Sequence, residues 1–216
     1  MDRALPHWWE PLRTRAAAAD TADFTRWPTP VNGGRPSAVL VLLGEQAGRP
    51  DVLVIQRAST MRTHAGQVAF PGGARDETDP DAPATALREA QEEVGVEPAT
   101  VTVVAELPRL WIPISDFVVT PVLSWWHEPH PVFPRAADEV ERVARLPVAE
   151  LVDPANRFRV RHPSGYIGPA FEVAGMLVWG FTAGVLGTLL ELAGWARPWP
   201  HDRVRELPPA SAWPVL

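Results

Sequence analysis

One stretch in the first half of the chain carries start and stop signals for a helix at both of its ends. Asp81 is a typical N-cap residue, Pro83 suits a first helical turn, and Gly95 suits the left-handed residue that follows a last turn. We therefore predict a helix over residues 82–94. The Gly- and Pro-rich segment that leads into it, from Met61 to Asp81, predicts an ordered functional loop.

The predicted helix places three acidic residues on one face. Residues three and four positions apart are neighbours on a helix, so Glu89, Glu92 and Glu93 would point in the same direction, away from the apolar face. Like charges at this spacing repel one another unless water surrounds them or a cation neutralises them. Carboxylate oxygens suit Mg²⁺ or Mn²⁺, which also accept phosphate oxygens as ligands. The cluster therefore indicates phosphoryl chemistry, and the alternative is an acidic, solvated helix face.

Composition excludes several classes of site. The chain has 216 residues, enough for one sizeable core, and contains no cysteine. This excludes a thiolate nucleophile, a disulfide framework and cysteine-bound metal clusters. All twenty basic residues are arginine, so a Schiff-base lysine and a Walker-A lysine are excluded as well. The formal net charge of −6 argues against nucleic acid as a partner and requires local arginines or metal cations for any phosphate substrate.

Targeting and membrane signals are weak. The first thirty residues contain arginine, proline and tryptophan without the apolar core of a secretory signal, so we expect a soluble, cytoplasmic protein. Residues 173–190 form an uncharged run, but glycines interrupt it and Trp179-Gly180 divides it into a strand-like and a helix-like half. We predict a buried strand followed by a helix, with no membrane partner.

The remaining pattern predicts irregularly alternating strands and helices. Residues 37–43 and 51–55 suggest a hairpin, and the acid-first, arginine-last pattern of residues 136–146, stopped by Pro147, suggests a helix. The further predicted elements are a short helix around residues 11–20 and strands over residues 101–106 and 118–126.

The segment that joins the loop to the helix resembles a known motif. Gly73, an acid at Asp79 and then the run Arg88-Glu89-x-x-Glu92-Glu93-x-Gly95-Val96 resemble the box of the Nudix hydrolases. The spacing from Gly73 to Arg88 is fifteen residues, one more than in the commonest form of that box. Asp79 stands where the family usually has glutamate.

The longer spacing is similar to the coenzyme A diphosphatase branch of this family, and so is the arginine-rich segment before the box. That segment matches the branch at the following positions: Arg57, Ser59, Arg62, His64, Gly66, Gln67, Phe70, Pro71, Gly72, Gly73 and Asp76. The resemblance implies hydrolysis of the coenzyme A diphosphate to 3′,5′-ADP and 4′-phosphopantetheine, with Mg²⁺ or Mn²⁺ as cofactor.

The resemblance also implies the fold and the domain boundaries. We expect an α/β protein, a Nudix-type α/β/α sandwich with a mixed β-sheet and a loop-helix-loop catalytic box. The Nudix domain would cover residues 35–194. An N-terminal arm, residues 1–34, and a Pro/Trp-rich C-terminal tail, residues 195–216, would flank it.

Roles for individual residues follow from the resemblance. Glu89, Glu92 and Glu93 would be the metal ligands, and the catalytic set would be Glu92, Glu93, Glu139 and Arg88. The general base stays open among the last two box glutamates and Glu139; alternatively, Glu139 is an early-turn residue of the helix predicted over residues 136–146. Arg88 would pair with a box glutamate and fix its rotamer. The substrate-binding candidates are Arg57, Arg62, His64, Gln67, Gly72 and Gly73.

Two other functions stay open, and two further groups of residues are considered as sites. The protein would otherwise be a broader nucleoside-diphosphate pyrophosphatase, acting on ADP-ribose or a dinucleotide, or a catalytically silent ligand-binding module of the same fold. Arg157, Arg159 and Arg161 alternate on one predicted strand face and would hold a 3′-phosphate or form a solvated edge. His127 and His130 lack the spacing of a zinc site. The Trp- and Pro-rich ends leave open a homodimer in which they dock onto a second subunit.

Overall fold

The structure is a computed structural model that describes residues 4–30, 33–61 and 64–208. Its α-helices are α1 (Glu10–Ala16), α2 (Thr21–Phe24), α3 (Ala82–Val94), α4 (Val148–Leu151) and α5 (Gly180–Leu192). Its strands are β1 (Arg35–Gln46), β2 (Arg49–Arg57), β3 (Val68–Ala69), β4 (Gly72–Ala74), β5 (Val101–Glu106), β6 (Leu110–Ile112), β7 (Phe117–Trp126), β8 (Val140–Pro147), β9 (Arg157–Arg161), β10 (Ile167–Val173), β11 (Met176–Trp179) and β12 (Val204–Glu206). Short 3-10 turns cover His7–Trp9, Pro98–Thr100 and Pro154–Asn156.

The central sheet is mixed. Its main path runs β3-β2-β1-β7-β5, with β8 paired to β2, β4 to β1 and β6 to β7. The pair of β1 and β7 is parallel, whereas β1 and β2 form the predicted antiparallel hairpin with longer strands than expected. The hairpin closes at Ala47 and Gly48, with φ of 50° and 73°, the positive values that a two-residue turn between twisted strands requires.

Alternation along β1 builds two cores, one on each face of this sheet. Leu40 and Leu42 pack with α3, while Val41 and Leu43 pack with α1 and α5 on the opposite face. The predicted α/β/α sandwich with a mixed sheet is therefore confirmed. The sheet face under α3 is the one that supports the acidic cluster.

A smaller sheet, β11-β10-β9-β12, extends the molecule beyond β3. Its edge strand β12 comes from the predicted C-terminal tail and pairs in parallel with β9. The uncharged run at residues 173–190 divides at Trp179 and Gly180 into β11 and α5, as predicted. Among the helices of the described residues, none is long and apolar enough to span a membrane.

The helix predicted over residues 136–146 is wrong. This segment contains β8, which pairs antiparallel with β2 and places Val143 opposite Ile55 and Leu146 opposite Val52. The charges at its ends fit a helix dipole, but β2 is buried over residues 51–56 and needs a partner along each edge. Pairing with β2 therefore outweighs the local helix signals.

The N-terminal segment contributes to the core. The helix predicted around residues 11–20 is found over Glu10–Ala16, and Trp9 and Leu12 are both 0% exposed among residues of the sheet and α5. The indole N–H of Trp8 also donates to a carboxylate oxygen of Glu45 at 2.9 Å. The boundary at residue 34 stays a prediction, but part of the preceding segment is buried with the domain.

Leu12→Ala should destabilise the whole protein, because it removes a fully buried side chain between α1 and the core. We expect a loss of about 2–5 kcal/mol in the free energy of unfolding. Urea denaturation followed by tryptophan fluorescence measures it, with Thr14→Ala on the exposed face of the same helix as the control. Equal stability of the two variants would show that α1 is only an appended arm.

Candidate active site

The acidic cluster lies on α3, whose bounds match the predicted helix. The Asp81 carboxylate accepts a hydrogen bond from the Ala84 N–H at 2.8 Å, and Gly95 ends the helix with φ of 78°. Apolar residues of α3 pack on the central sheet, among them Ala86 and Ala90, both 0% exposed. The helix therefore presents its acids along the side that faces β4 and the loop after it.

Glu93 is the innermost of the three glutamates. It is 3% exposed, and one carboxylate oxygen accepts a hydrogen bond from the Gly72 N–H at 3.0 Å. The next residue, Gly73, lies so close to α3 that an added Cβ would fall 2.5 Å from the Glu89 carboxylate. The two glycines thus let β4 run directly against the acidic face of the helix.

Arg88 pairs with the other two glutamates, as predicted, and also with Asp79. Its guanidinium lies 3.0 Å from carboxylate oxygens of Glu89, Glu92 and Asp79, and it donates to the Ala74 carbonyl at 3.2 Å. The bonds from Arg88 lower the pKa of the buried Asp79 carboxyl to about 2. Sequence reasoning placed Asp79 in the motif but gave it no role, although its position before Arg88 was a usable signal.

Electrostatic repulsion remains among the inner carboxylates. The pKa of Glu93 is raised to about 8, chiefly by burial and also by the charges of Glu89 and Glu139, while the Gly72 N–H and the Arg57 guanidinium oppose the shift. Burial likewise raises the pKa of Glu89, against the effect of Arg88. Ionising both carboxyl groups without a counter-charge is therefore unfavourable, and a bound cation would offset this cost.

Glu139 comes to this site from a distant part of the chain. It lies in a turn before β8, so its interpretation as an early-turn helix residue is wrong. The preceding segment caps the carboxyl end of α3, with the Arg135 N–H donating to the Glu93 carbonyl at 2.8 Å. The Ala58 N–H, at the end of β2, donates to the Glu139 carbonyl at 2.8 Å. These backbone bonds hold Glu139 beside Glu89 and Glu93.

The arginine-rich segment begins where β2 ends. Arg57 acts electrostatically on Glu93, and its buried Nε has no hydrogen-bond partner within the described residues. The Arg57 N–H donates to the Gln67 carbonyl at 2.9 Å, and the Gly66 N–H donates to the Arg57 carbonyl at 3.1 Å. The imidazole of His64 lies 2.9 Å from the Gln67 side-chain oxygen. Arg62 lies outside the described residues.

The predicted metal ligands are only partly brought together. Glu89 and Glu93 are neighbours near Glu139, but the Glu92 side chain is 59% exposed and bonded to Arg88. Across residues 4–30, 33–61 and 64–208, no three His, Asp or Glu side chains are already arranged as a metal site. The donor chemistry still suits a hard divalent cation, because two partly desolvated carboxylates lie together beside the glycine backbone.

His130 and Trp126 are part of the structural framework. The Glu97 N–H donates to His130 Nε2 at 3.2 Å, and Nδ1 lies 3.1 Å from the Pro131 carbonyl. The indole N–H of buried Trp126 donates to the Thr100 hydroxyl at 3.1 Å. These contacts give both side chains a structural role.

Comparisons with known proteins identify a family model and relatives that this chain resembles. The family model described as NUDIX domain matches residues 34–166. A protein of Citrobacter koseri named "Uncharacterized Nudix hydrolase NudL" is 40% identical over 162 residues, covering 72% of this chain and 81% of the relative. Proteins of the same name are 40% identical over 171 residues in Klebsiella pneumoniae strain 342 and 38% identical over 160 in Escherichia coli K12. They cover 76% and 72% of this chain and 85% and 81% of the relatives.

One solved structure supports the fold. The Nudix hydrolase RenU of M. smegmatis superposes with a TM-score of 0.51 at 19% identity, covering 81% of this chain and 94% of that one. At this identity the similarity concerns the fold alone.

Glu93→Gln should make the metal-free protein more stable at high pH. The folded-state pKa of Glu93, about 8, exceeds the ordinary value of 4.5, so the folded state binds more protons between these values and loses stability as pH rises through that window. The neutral side-chain amide of Gln at this position does not ionise, so the variant does not lose stability in this way. Between pH 5 and pH 8 the variant should gain about 2–4 kcal/mol relative to wild type.

Urea unfolding in a chelator at both pH values measures this difference. Glu77→Gln removes the same charge from an exposed loop position and should follow the wild-type pH dependence. A parallel pH dependence in wild type and Glu93→Gln would contradict the burial of an ionisable group at residue 93.

Asp79→Asn should weaken the anchoring of Arg88. The folded-state pKa of Asp79, about 2, lies below its ordinary 3.8, so its ionised form stabilises the fold above about pH 4 and this contribution is lost as pH falls toward 2. We expect the variant to be about 1–3 kcal/mol less stable at pH 7, with the difference from wild type vanishing near pH 2. Asp76→Asn, a neighbouring exposed acid, serves as the control. A difference independent of pH would rule out the ion pair as its cause.

Proposed function

The chain belongs to the Nudix hydrolase family, whose members hydrolyse pyrophosphate-containing substrates, and on that premise we propose that it cleaves the diphosphate of coenzyme A or its derivatives. The products would be 3′,5′-ADP and 4′-phosphopantetheine. The observation that carries the proposal is the position of Arg57. This residue begins the segment that resembles the coenzyme A branch, and it has a buried, unpartnered Nε within electrostatic reach of Glu93 among the described residues.

Nudix hydrolases generally use divalent metal ions, and the carboxylates here fit that requirement. Glu89 and Glu93 would hold Mg²⁺ or Mn²⁺, with Glu92 joining them when its side chain turns from Arg88. Such ions neutralise the diphosphate, lower the pKa of a bound water and stabilise the leaving phosphate. Glycine at residue 73 keeps open the space that a Cβ would take from the Glu89 carboxylate.

The chain's own groups position these carboxylates. Arg88 is a positioning residue, because it binds Glu89 and Glu92 and is itself anchored on Asp79 and the Ala74 carbonyl. The Gly72 N–H fixes one oxygen of Glu93 and leaves the other for a cation. The residue that takes the proton from the attacking water is Glu92, Glu93 or Glu139, and each lies on this face of the molecule.

The substrate side is the loop that follows β2. Arg57 would donate a hydrogen bond to a phosphate oxygen. This oxygen would be the acceptor that the buried Nε of Arg57 lacks among the described residues. His64 and Gln67, which contact each other, would donate to the second phosphate or to the sugar. Arg62, the remaining substrate-binding candidate from the sequence, lies outside the described residues. A cytoplasmic location and a homodimer through the terminal segments remain further parts of the proposal.

Purified protein should release 3′,5′-ADP and 4′-phosphopantetheine from coenzyme A when Mg²⁺ or Mn²⁺ is present. Mass spectrometry of products from coenzyme A, ADP-ribose and NADH, each incubated separately, tests this. We expect kcat/KM for coenzyme A to exceed the other two at least tenfold. Comparable cleavage of all three would replace the proposal with a broader nucleoside-diphosphate pyrophosphatase.

Two variants separate chemistry from substrate choice. Glu93→Gln should lower kcat by orders of magnitude for every substrate, because one ligand charge is lost while shape is kept. Arg57→Met should instead raise KM for coenzyme A, with a folded protein shown by an unchanged thermal midpoint. Full activity in excess chelator would show that the reaction needs no divalent metal ion.

A further inference from the structure

A second arginine is buried outside the candidate active site. Arg157, at the start of β9, is 2% exposed, and its guanidinium lies between two aromatic rings, 5.1 Å from the centroid of Phe171 and 4.8 Å from that of Trp199. Its Nε and Nη1 atoms have no hydrogen-bond partner within the described residues. The aromatic rings therefore cover the faces of the cation, while donors along its edges lack acceptors.

Two other partly buried arginines are paired with carboxylates. Arg145 lies 2.7 Å from Asp51, and Arg88 lies 3.0 Å from Asp79. Arg157 forms no such ion pair in the described part of the chain; Glu191, on α5, acts on it only at longer range, and burial lowers its pKa. A buried guanidinium without a counter-charge costs several kcal/mol, so this position favours an anion.

A second cation shares the same strand face. Arg159 lies two residues along β9, about 7 Å away, and is half-buried, with a long 3.4 Å contact from its guanidinium to the Ile167 carbonyl. The third arginine of the stripe, Arg161, is exposed and pairs with Glu206 at 3.3 Å. The solvated-edge alternative is therefore wrong for Arg157. Among the described residues, no carboxylate forms an ion pair with Arg157 or Arg159.

This face is separate from the acidic cluster. In the smaller sheet, β9 is two strands away from β11, the strand that contacts β3. The segment after α5 crosses over Arg157 through Trp199 and is held by Arg203, which donates to the Ala155 carbonyl at 2.7 Å. Arg157 therefore lies beneath the C-terminal segment, between it and α5.

We propose that Arg157 and Arg159 form a phosphate-binding site outside the catalytic cleft. A phosphate group carries up to two negative charges and several acceptor oxygens, which matches two guanidiniums on one strand face. Free orthophosphate and the monoester phosphate of a nucleotide share this chemistry. Because Trp199 covers Arg157, binding requires a small shift of the C-terminal segment. The site does not depend on which diphosphate the enzyme cleaves.

Thermal unfolding in a chelator, with phosphate compared against chloride at equal ionic strength, tests the proposal. Orthophosphate at ten times its Kd should raise the Tm of the wild-type protein by about 3–6 °C. Arg157→Met keeps an unbranched side chain between the rings and should lose this rise. Arg161→Met, on the same strand face, should retain it, and so should Arg57→Met, which excludes binding in the catalytic cleft.

Adenosine 3′-monophosphate distinguishes the two sources. An equal rise with this nucleotide identifies a site open to phosphate monoesters, and a rise with orthophosphate alone identifies a closed site for the free ion. No rise in the wild type, or an equal rise in Arg157→Met, overturns the proposal. If Arg157→Met does not fold, Arg159→Met decides: we expect its Kd for phosphate to increase about tenfold, and an unchanged Kd overturns the site.

Discussion

The hydrogen bond from the Gly72 N–H to the buried Glu93 carboxylate is the contact on which the rest of the site depends. It joins β4, a short strand, to the last turn of α3. Gly72 cannot move away, because β4 is paired with β1 so closely that a Cβ at this residue would fall 2.6 Å from the Val39 Cα. Helix, loop and sheet are therefore fixed relative to one another at the innermost carboxylate of the acidic cluster.

A single guanidinium organises the charges around this contact. Arg88 binds the carboxylates of Asp79, Glu89 and Glu92 and one backbone carbonyl. These contacts use the planar set of N–H donors that arginine has and lysine lacks. In a chain without lysine, this task falls to arginine throughout: Arg145, on β8, holds buried Asp51, on β2, in the same way. The positively charged side chains of this protein are therefore guanidinium groups, which form directional hydrogen bonds.

Local signals predicted the part of the site that is local. The helix over residues 82–94 matches because Asp81 and Gly95 define its ends within their own turns, and the pairing of Arg88 with Glu92 follows from i, i+4 spacing. β8 was missed because its structure is decided by β2, more than eighty residues earlier in the chain. The burial of Arg157 could not be predicted from alternation along a strand, since α5 and the C-terminal segment cover it.

An acidic protein that acts on anionic substrates needs positively charged side chains where those substrates bind. With a net charge of −6, the field of the whole chain repels phosphates, so attraction must come from particular cations. Arg88 and Arg145 are committed to carboxylates, whereas Arg57 and Arg157 each keep a buried nitrogen without an acceptor within the described residues. An unsatisfied buried donor costs about 1–3 kcal/mol, a cost that a bound oxyanion removes. The same property therefore suits Arg57 to the substrate diphosphate and Arg157 to a separate phosphate.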